Sequence, residues 1–456
     1  MRSMIKNTQN TDKKNFVKGA FWIAFGGFSA KAIGALYRIP LTNLIGGYGL
    51  GLYQMVYPLY CLLLTVSATG IPSSIAKLTA EQIALGKDDR AVLQKALKLF
   101  IRIGLIATLV MGLSAPLLSA AQGTKEVLGG YFMLAPSVLI VSVISVFRGW
   151  FQGKNNMFPT AASEIVEQLV KVGFGVLFAY LFRNNVERAV IFLLLAVTLS
   201  EIFALLLMIF FYKRVPAPMQ LKNEGVRYEM KHILKLTLPV TFSAILLPLS
   251  SLLDSVLVPR LLSVYEPSSV TLYGLFSGGA VTVVGLPVSV CYGLAAASIP
   301  RVAAASRLAD EKERKKAVRS RIRFSLWLTV AVGVFSVLGL YFLAEPAAKL
   351  IFKSLSEKEL DLLIRLIKAY SISALSLSCV QTLSACLTAQ GKPQYAALSM
   401  LIAVTVKTAC YVFWLQNANV SIFGLAYATN VCYLVAFFLN FMYNRKVSGS
   451  REGERT

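Results

Sequence analysis

Apolar runs of about 20 residues recur along the whole chain and limit its possible folds more than any other feature. As a helix rising 1.5 Å per residue, one such run crosses roughly 30 Å of hydrocarbon. Six runs lie in the first half, near residues 16–39, 48–70, 96–121, 127–147, 159–182 and 187–212. Six more lie near 233–262, 268–298, 323–344, 362–389, 394–416 and 418–443. The period-two alternation of a barrel is absent, so each backbone polar group must be satisfied within a helix. The expected fold is all-α, a multi-pass membrane protein of about twelve transmembrane helices. Only 15% of the 456 residues are charged, against about a quarter in soluble domains, and mean hydropathy is +0.65.

A net charge of +24 would suggest nucleic acid in a soluble chain, but here the basic residues crowd the ends of the apolar runs. Nucleic-acid binding is therefore not expected. Counted with the flanking turns, 33 of the 46 Lys and Arg fall in alternate segments that begin with the N-terminal one. That bias places both termini on the cytoplasmic side of the cell membrane. Arg314, Lys315, Lys316, Arg319 and Arg321 crowd the 300–322 segment, with Arg323 at its end. They read either as a topology signal or as a surface for anionic lipid head groups. The six cysteines lie in apolar stretches without paired ligand spacing, and His232 is the sole histidine, so no metal site is expected. Lys31 interrupts the first apolar run, which suits an uncleaved helix better than a signal peptide.

The stretch Phe147–Lys171 carries charge into the fifth run. Arg148, Gly149, Gln152, Gly153 and Lys154 read as a short polar connection. Beyond Pro159, Glu164, Glu167 and Lys171 fall on one helical face, because spacings of three, four and seven return to the same side. An unpaired charge at membrane depth costs roughly 2.5–3.5 kcal/mol, so this face must point into protein or a watery cavity.

An internal repeat organises the rest. Ile71-Pro72 and Ile299-Pro300 each follow an apolar run and open a charged helical segment. Gln152-Gly153-Lys154 and Gln390-Gly391-Lys392 join the fourth run to the fifth and the tenth to the eleventh, each followed by a lysine within the next run, Lys171 and Lys407. Two six-helix lobes are expected, 1–212 and 232–456, joined by a cytoplasmic linker at 213–231. Both repeats begin on the same side of the membrane, so they are parallel, with a site expected between them and alternating access by rocking.

Arg148-Gly149-Trp150-Phe151-Gln152-Gly153-Lys154, followed by Met157, Pro159, Ala161, Ser163, Glu167, Gln168, Val170 and Lys171, resembles the stage V sporulation protein B group. That group sits among the lipid II flippase-like members of the multidrug/oligosaccharidyl-lipid/polysaccharide exporter superfamily. Gly49-Leu50-Gly51-Leu52-Tyr53, Pro72 with Ser74, Ala76 and Lys77, and Leu286-Pro287 through Ile299-Pro300 extend the resemblance along the chain. It implies a two-lobe flippase for a polyprenyl-linked cell-wall or polysaccharide precursor. It also implies basic residues flanking a glycine in the first span, a pattern that Lys31, Gly34 and Arg38 resemble, and a cation site in the second lobe.

Lys31 and Arg38 lie seven residues apart, roughly 10 Å along one face, and are placed to grip diphosphate; alternatively Arg38 snorkels to the outer interface. Glu164, Glu167 and Lys171 either bind the substrate's sugar or form a pair within the lobe, with Glu167 and Lys171 as an i, i+4 couple. Glu201, isolated in the sixth run, is a partner for them or a proton-sensitive group. Asp254 sits between Pro248 and Pro259 and is a candidate for Na⁺ or proton coupling, or for a bond to a neighbouring helix. Lys407 suits phosphate capture or an interlobe bridge.

Three function classes follow. A lipid-linked oligosaccharide flippase accounts for the motif, the repeat and the intramembrane cations. A cation-coupled multidrug exporter of the same fold is the alternative and would want an acidic, aromatic cavity. An enzyme would need a positioned acid or base on a sizeable loop, and neither the short outer loops nor the single histidine suits one. The expected transporter acts on an anionic lipid-linked sugar among membrane lipids, as a monomer, with no cofactor beyond Na⁺ or H⁺. Green fluorescent protein fused to either end should fluoresce and alkaline phosphatase at the same ends should stay inactive; active phosphatase at either end would reverse the assigned orientation.

Overall fold

The computed structural model describes residues 2–68, 70–216, 230–308 and 310–448; the side chains of most of 2–35 and 230–243, and of 292, 296 and 297, lie outside that description. The expected linker falls largely outside it, at 217–229, and so does the His232 side chain.

Stretch α1 (Arg2–Ala68) contains the first two expected spans as two helical segments that meet at a kink at non-helical Gly46, whose φ of 66° disfavours any side chain. Helix α2 (Ile71–Ala84) follows Gly70 (φ 81°) and carries Pro72 in its first turn, where a missing N–H is harmless. Helix α3 (Arg90–Gln122) ends on left-handed Gly123. Helix α4 (Leu128–Gly153) leads through a short turn to α5 (Phe158–Leu181). Helix α6 (Val186–Lys213) is capped by Asn185, whose side chain accepts the Arg188 N–H.

Helix α7 (Met230–Leu262) opens the second half, followed by α8 (Ser269–Gly274), a π-helical turn (Leu275–Ala280) and α9 (Val281–Ser306). Then come α10 (Glu311–Phe342), α11 (Ala344–Ile351), α12 (Glu357–Tyr370) and α13 (Ile372–Ala389). Helices α14 (Pro393–Trp414) and α15 (Phe423–Val447) complete the chain. The expected span at 362–389 is thus broken at Ser371, and α12 begins with a capping box between Ser356 and Glu359.

Ten helical stretches among the described residues are long and apolar enough to cross a membrane. The two further expected spans have identifiable fates. Residues 16–35 fall mostly on undescribed side chains, and α5 carries Glu164, Glu167 and Lys171 within its apolar stretch.

Contacts divide the chain into two compact units, 1–45 with 56–248, and 46–55 with 249–456. This grouping cuts across the lobe limits expected from the repeat: Gly46–Met55 joins the later unit and residues 232–248 the earlier. The reason for the first exchange is close packing. A Cβ on Gly51 would lie 2.1 Å from the Val270 carbonyl oxygen, and one on Gly274 would lie 2.3 Å from that of Gly47. Gln54 adds a bond from Nε2 to the Ser277 carbonyl at 3.0 Å.

In the first unit α4 packs on α2, α3 and α6, and α5 packs on α6. In the second, α13 packs on α9, α10 and α15, and α14 on α15. The sequence repeat is therefore also a repeat of packing. It differs at one joint: α2 is a separate helix after Gly70, whereas α9 runs unbroken through Ile299-Pro300.

The expected polar connection at 148–154 is mostly helix. Helix α4 continues to Gly153, and Trp150 and Phe151 are fully buried among Ile75, Leu78, Leu93 and Phe100. Gly149 and Gly153 form a small-xxx-small stripe that lets α4 lie against α2. A Cβ at Gly149 would meet the Pro72 oxygen at 2.7 Å, and one at Gly153 the Ala76 oxygen at 2.6 Å. On outward faces, Leu113, Leu117, Phe335 and Phe342 are largely exposed, as lipid-facing side chains are. Gly149→Ala and Gly153→Ala should each destabilise the protein by about 1–3 kcal/mol through overpacking, read as a lower melting temperature in detergent. Gly173→Ala, where a Cβ meets nothing within 4 Å, should not lower it.

Candidate functional site

Two polar clusters are built within the helices, one in each unit. In the first, α5 presents Glu164, Glu167 and Lys171 on one face as its spacing requires, and all three are half-buried. The last turns of α4 supply Arg148. Its Nη2 donates to Glu167 Oε2 at 3.0 Å and its Nε to Ser163 Oγ at 3.0 Å. Gln168 Nε2 donates to the other Glu167 oxygen at 3.3 Å.

The expected Glu167–Lys171 couple is replaced by this pair. The guanidinium divides its donors between Glu167 and Ser163 and is more weakly hydrated than an ammonium, so it takes the partly buried position. Lys171, one turn on, stands within electrostatic range of Glu167, Glu201 and Arg38. Glu164 feels Arg148 and Glu167.

Arg38 is half-buried on α1. Close contacts lay α1 along α5: Gly26 against Ala161, Gly34 against Gln168, and Tyr37 against Gly175. Lys31 lies on the same helix, with its side chain outside the described residues. Glu201, 1% exposed on α6, accepts a 2.5 Å hydrogen bond at Oε1 from the Tyr60 hydroxyl, while its Oε2 has no hydrogen-bond partner among the described residues. Beside it, Ser137 and Thr198 bond to each other at 2.8 Å. Arg38, Glu167, Lys171, Glu201 and Tyr60 thus share one polar interior.

In the second unit, Lys407 on α14 is 5% exposed and donates from Nζ to Asp254 Oδ2 on α7 and to Ser250 Oγ at 3.1 Å. Lys407 is thereby committed inside its own unit, to the very carboxylate singled out for ion coupling. The buried Tyr411 hydroxyl, one turn beyond Lys407, stands beside Asp254. An ammonium already sits where a coupling cation would meet Asp254.

Sequence reasoning overlooked Arg148, Tyr60, Ser250 and Tyr411 as members of these clusters. The signal for Arg148 was present: Gly149-x-x-x-Gly153 marks a helix contact, so the residue before it belongs to a helix. Nothing in the sequence singled out Tyr60 or Tyr411 from the other tyrosines.

A second ion pair closes the end of the first unit. Lys154, at the end of α4, bonds to Asp89 at 2.8 Å and lies 4.8 Å from the centre of the Trp150 ring. Arg90 Nη2 donates to the carbonyls of Val215 and Pro216 beyond α6, each at 3.0 Å.

Comparison with known proteins follows the same lines. The chain is 27% identical to stage V sporulation protein B of Bacillus subtilis, over 75% of this chain and 68% of that protein. It is 22% identical to lipid II flippase MurJ of the same organism, over 95% and 83%. Among solved structures, an inward-facing multidrug resistance MATE family transporter of the MOP superfamily matches with a TM-score of 0.74 at 14% identity, over 92% of this chain and 94% of that one. Lipid II flippase MurJ in an inward closed conformation matches with a TM-score of 0.68 at 16% identity, over 92% and 87%. These likenesses show a shared all-helical fold, consistent with the many membrane-crossing helices expected from the apolar runs. The family described as polysaccharide biosynthesis protein matches residues 16–306, more than half of the chain, and the protein belongs to that family.

Proposed function

We propose that this protein flips an anionic polyprenyl-diphosphate-linked sugar, a cell-wall or polysaccharide precursor, from the inner to the outer leaflet by alternating access. The observation that carries this reading is the polar interior of the first unit, where Arg38 and Lys171 converge from α1 and α5. Cations held at membrane depth are costly, and a diphosphate is a cargo that offsets the cost. Arg38 and Lys171, with Lys31 on the same helix as Arg38, meet the phosphates. Glu164 meets the sugar, while Glu167 fixes Arg148 and shapes the wall. Lys407 reaches phosphate only by leaving Asp254. The names of the relatives, a lipid II flippase and a sporulation protein, support a lipid-linked cargo. Likeness to multidrug transporters at 14% identity supports the fold alone.

No covalent step is needed; the work is done by binding and rocking, and a monomer suffices. In this reading Glu201 and Asp254 couple transport to H⁺ or Na⁺, Asp254 by releasing Lys407 when the cation arrives. Glu201 is buried and bonded to Tyr60, and Asp254 is half-buried and bonded to Lys407.

Liposomes containing the purified protein should translocate a fluorescent polyprenyl-diphosphate sugar and not a cationic dye; the reverse selectivity would overturn the assignment. Arg38→Ala and Lys171→Ala should each lower the rate by about ten- to a hundredfold, the loss of one charge-assisted contact of roughly 1.5–3 kcal/mol, with little change in melting temperature. Coupling is read in the same vesicles under imposed H⁺ or Na⁺ gradients. Glu201→Gln keeps an acceptor for Tyr60, and the double variant Asp254→Asn with Lys407→Met removes the second pair together. That avoids the roughly 3–5 kcal/mol cost of stranding one buried charge. At least one of these variants should transport at a rate that no longer responds to the gradient; an undiminished response in both would rule out both carboxyls.

A further inference from the structure

One end of the second unit carries a basic hollow that the transport reading does not use. Two adjoining cavities, of about 190 and 590 Å³, open there and share Lys446 and Ser448. The smaller is lined by Arg314 and Lys315 of α10, Lys392 of the α13–α14 turn, and Lys446 of α15. The larger adds Arg319, Arg323 and Arg445. No carboxylate lines either cavity among the described residues; Glu311 meets Lys315 at 2.7 Å from the first turn of α10.

The hollow is framed by contacts among four helices, α10, α13, α14 and α15. Gln390 Nε2 donates to Asn444 Oδ1 at 3.0 Å, and Asn444 Nδ2 donates to the Leu383 carbonyl at 3.0 Å. Tyr395 stacks on Tyr443 with ring centres 4.8 Å apart, and Arg319 Nε reaches Ser448 Oγ at 3.5 Å. Gly391, at φ 73°, makes the turn that brings Lys392 into the lining. The Gln-Gly-Lys repeat therefore has two outcomes. Lys154 pairs with Asp89, and Lys392 lines a cavity with Arg314 and Lys446.

A topology signal alone needs charges near a span end and no cavity. The larger cavity also has an apolar wall, Ile322, Leu326 and Phe441, where α10 passes from its charged turns to its apolar ones. Cations beside an apolar wall fit a ligand that is anionic at one end and hydrocarbon at the other. We propose that this hollow binds an anionic phospholipid, its phosphate among Arg319, Arg323, Arg445 and Lys446 and the start of an acyl chain along Ile322, Leu326 and Phe441. Because no lining residue has a role in the transport reading, the site stands independently of the flippase assignment.

The full-length protein, purified in mild detergent and exchanged into vesicles of phosphatidylglycerol or phosphatidylcholine, tests this. Native mass spectrometry should find phosphatidylglycerol retained on the wild type, and its addition should raise the melting temperature where phosphatidylcholine and inorganic phosphate do not. Arg319→Gln with Arg323→Gln should cut retention by about fivefold per charge removed, given about 1 kcal/mol per basic residue. Arg319→Lys with Arg323→Lys should keep most of it. Unchanged retention in the Gln variant overturns the site, and stabilisation by inorganic phosphate equal to that by the lipid would make it a phosphate site instead. If the Gln variant does not fold, Lys446→Gln carries the same expectation for a single charge.

Discussion

A charged side chain inside a bundle of apolar helices has to find its counterpart within the bundle, because no water is there to take its place. The interior of this protein is arranged around that requirement. Arg148 spans from α4 to Glu167 and Ser163 on α5, and Lys407 spans from α14 to Asp254 and Ser250 on α7. Each pair joins two helices of its own unit. Removing one member leaves a stranded charge, so the pairs act as locks on helix position as much as sources of stability.

Glycine makes that arrangement geometrically possible. Gly149 and Gly153 let α4 approach α2, while Gly47, Gly51 and Gly274 let the middle of α1 lie against α8. Dispersion contacts and close backbone approach replace the hydrophobic effect as the cohesive force between lipid-solvated helices. They also explain why Trp150 and Phe151, beside a lysine and a glutamine in sequence, are fully buried. The packed end of α4 carries Arg148 into the first cluster and Lys154 to Asp89.

The two halves repeat their helix pairings and diverge in their chemistry. The first gathers Arg38, Lys171, Glu201 and Tyr60 into one interior; the second commits its corresponding lysine, Lys407, to Asp254. The turns differ too, since Lys154 pairs with Asp89 and Lys392 lines a cavity with other basic residues. A repeat of backbone packing thus carries two different charge arrangements, as expected where packing depends on small and apolar positions and polar positions vary without disturbing it.

Much of the fold was legible in the residues because membrane insertion is a local problem. A run's length and apolarity decide whether it spans, whatever its neighbours do. The helical class, the repeat and the interior placement of Glu164, Glu167 and Lys171 followed from that. Partnership was not legible. The i, i+4 spacing of Glu167 and Lys171 offered a couple on one helix, but Arg148, nineteen residues earlier, takes the carboxylate because α4 and α5 meet in space. Likewise the sequence marked Asp254 and Lys407 as separate candidates, and only the approach of α7 to α14 made them one pair. Spacing determines which face a side chain is on; which group stands opposite is a property of the packed tertiary structure, where desolvation makes the nearest well-shaped counter-charge the one that counts.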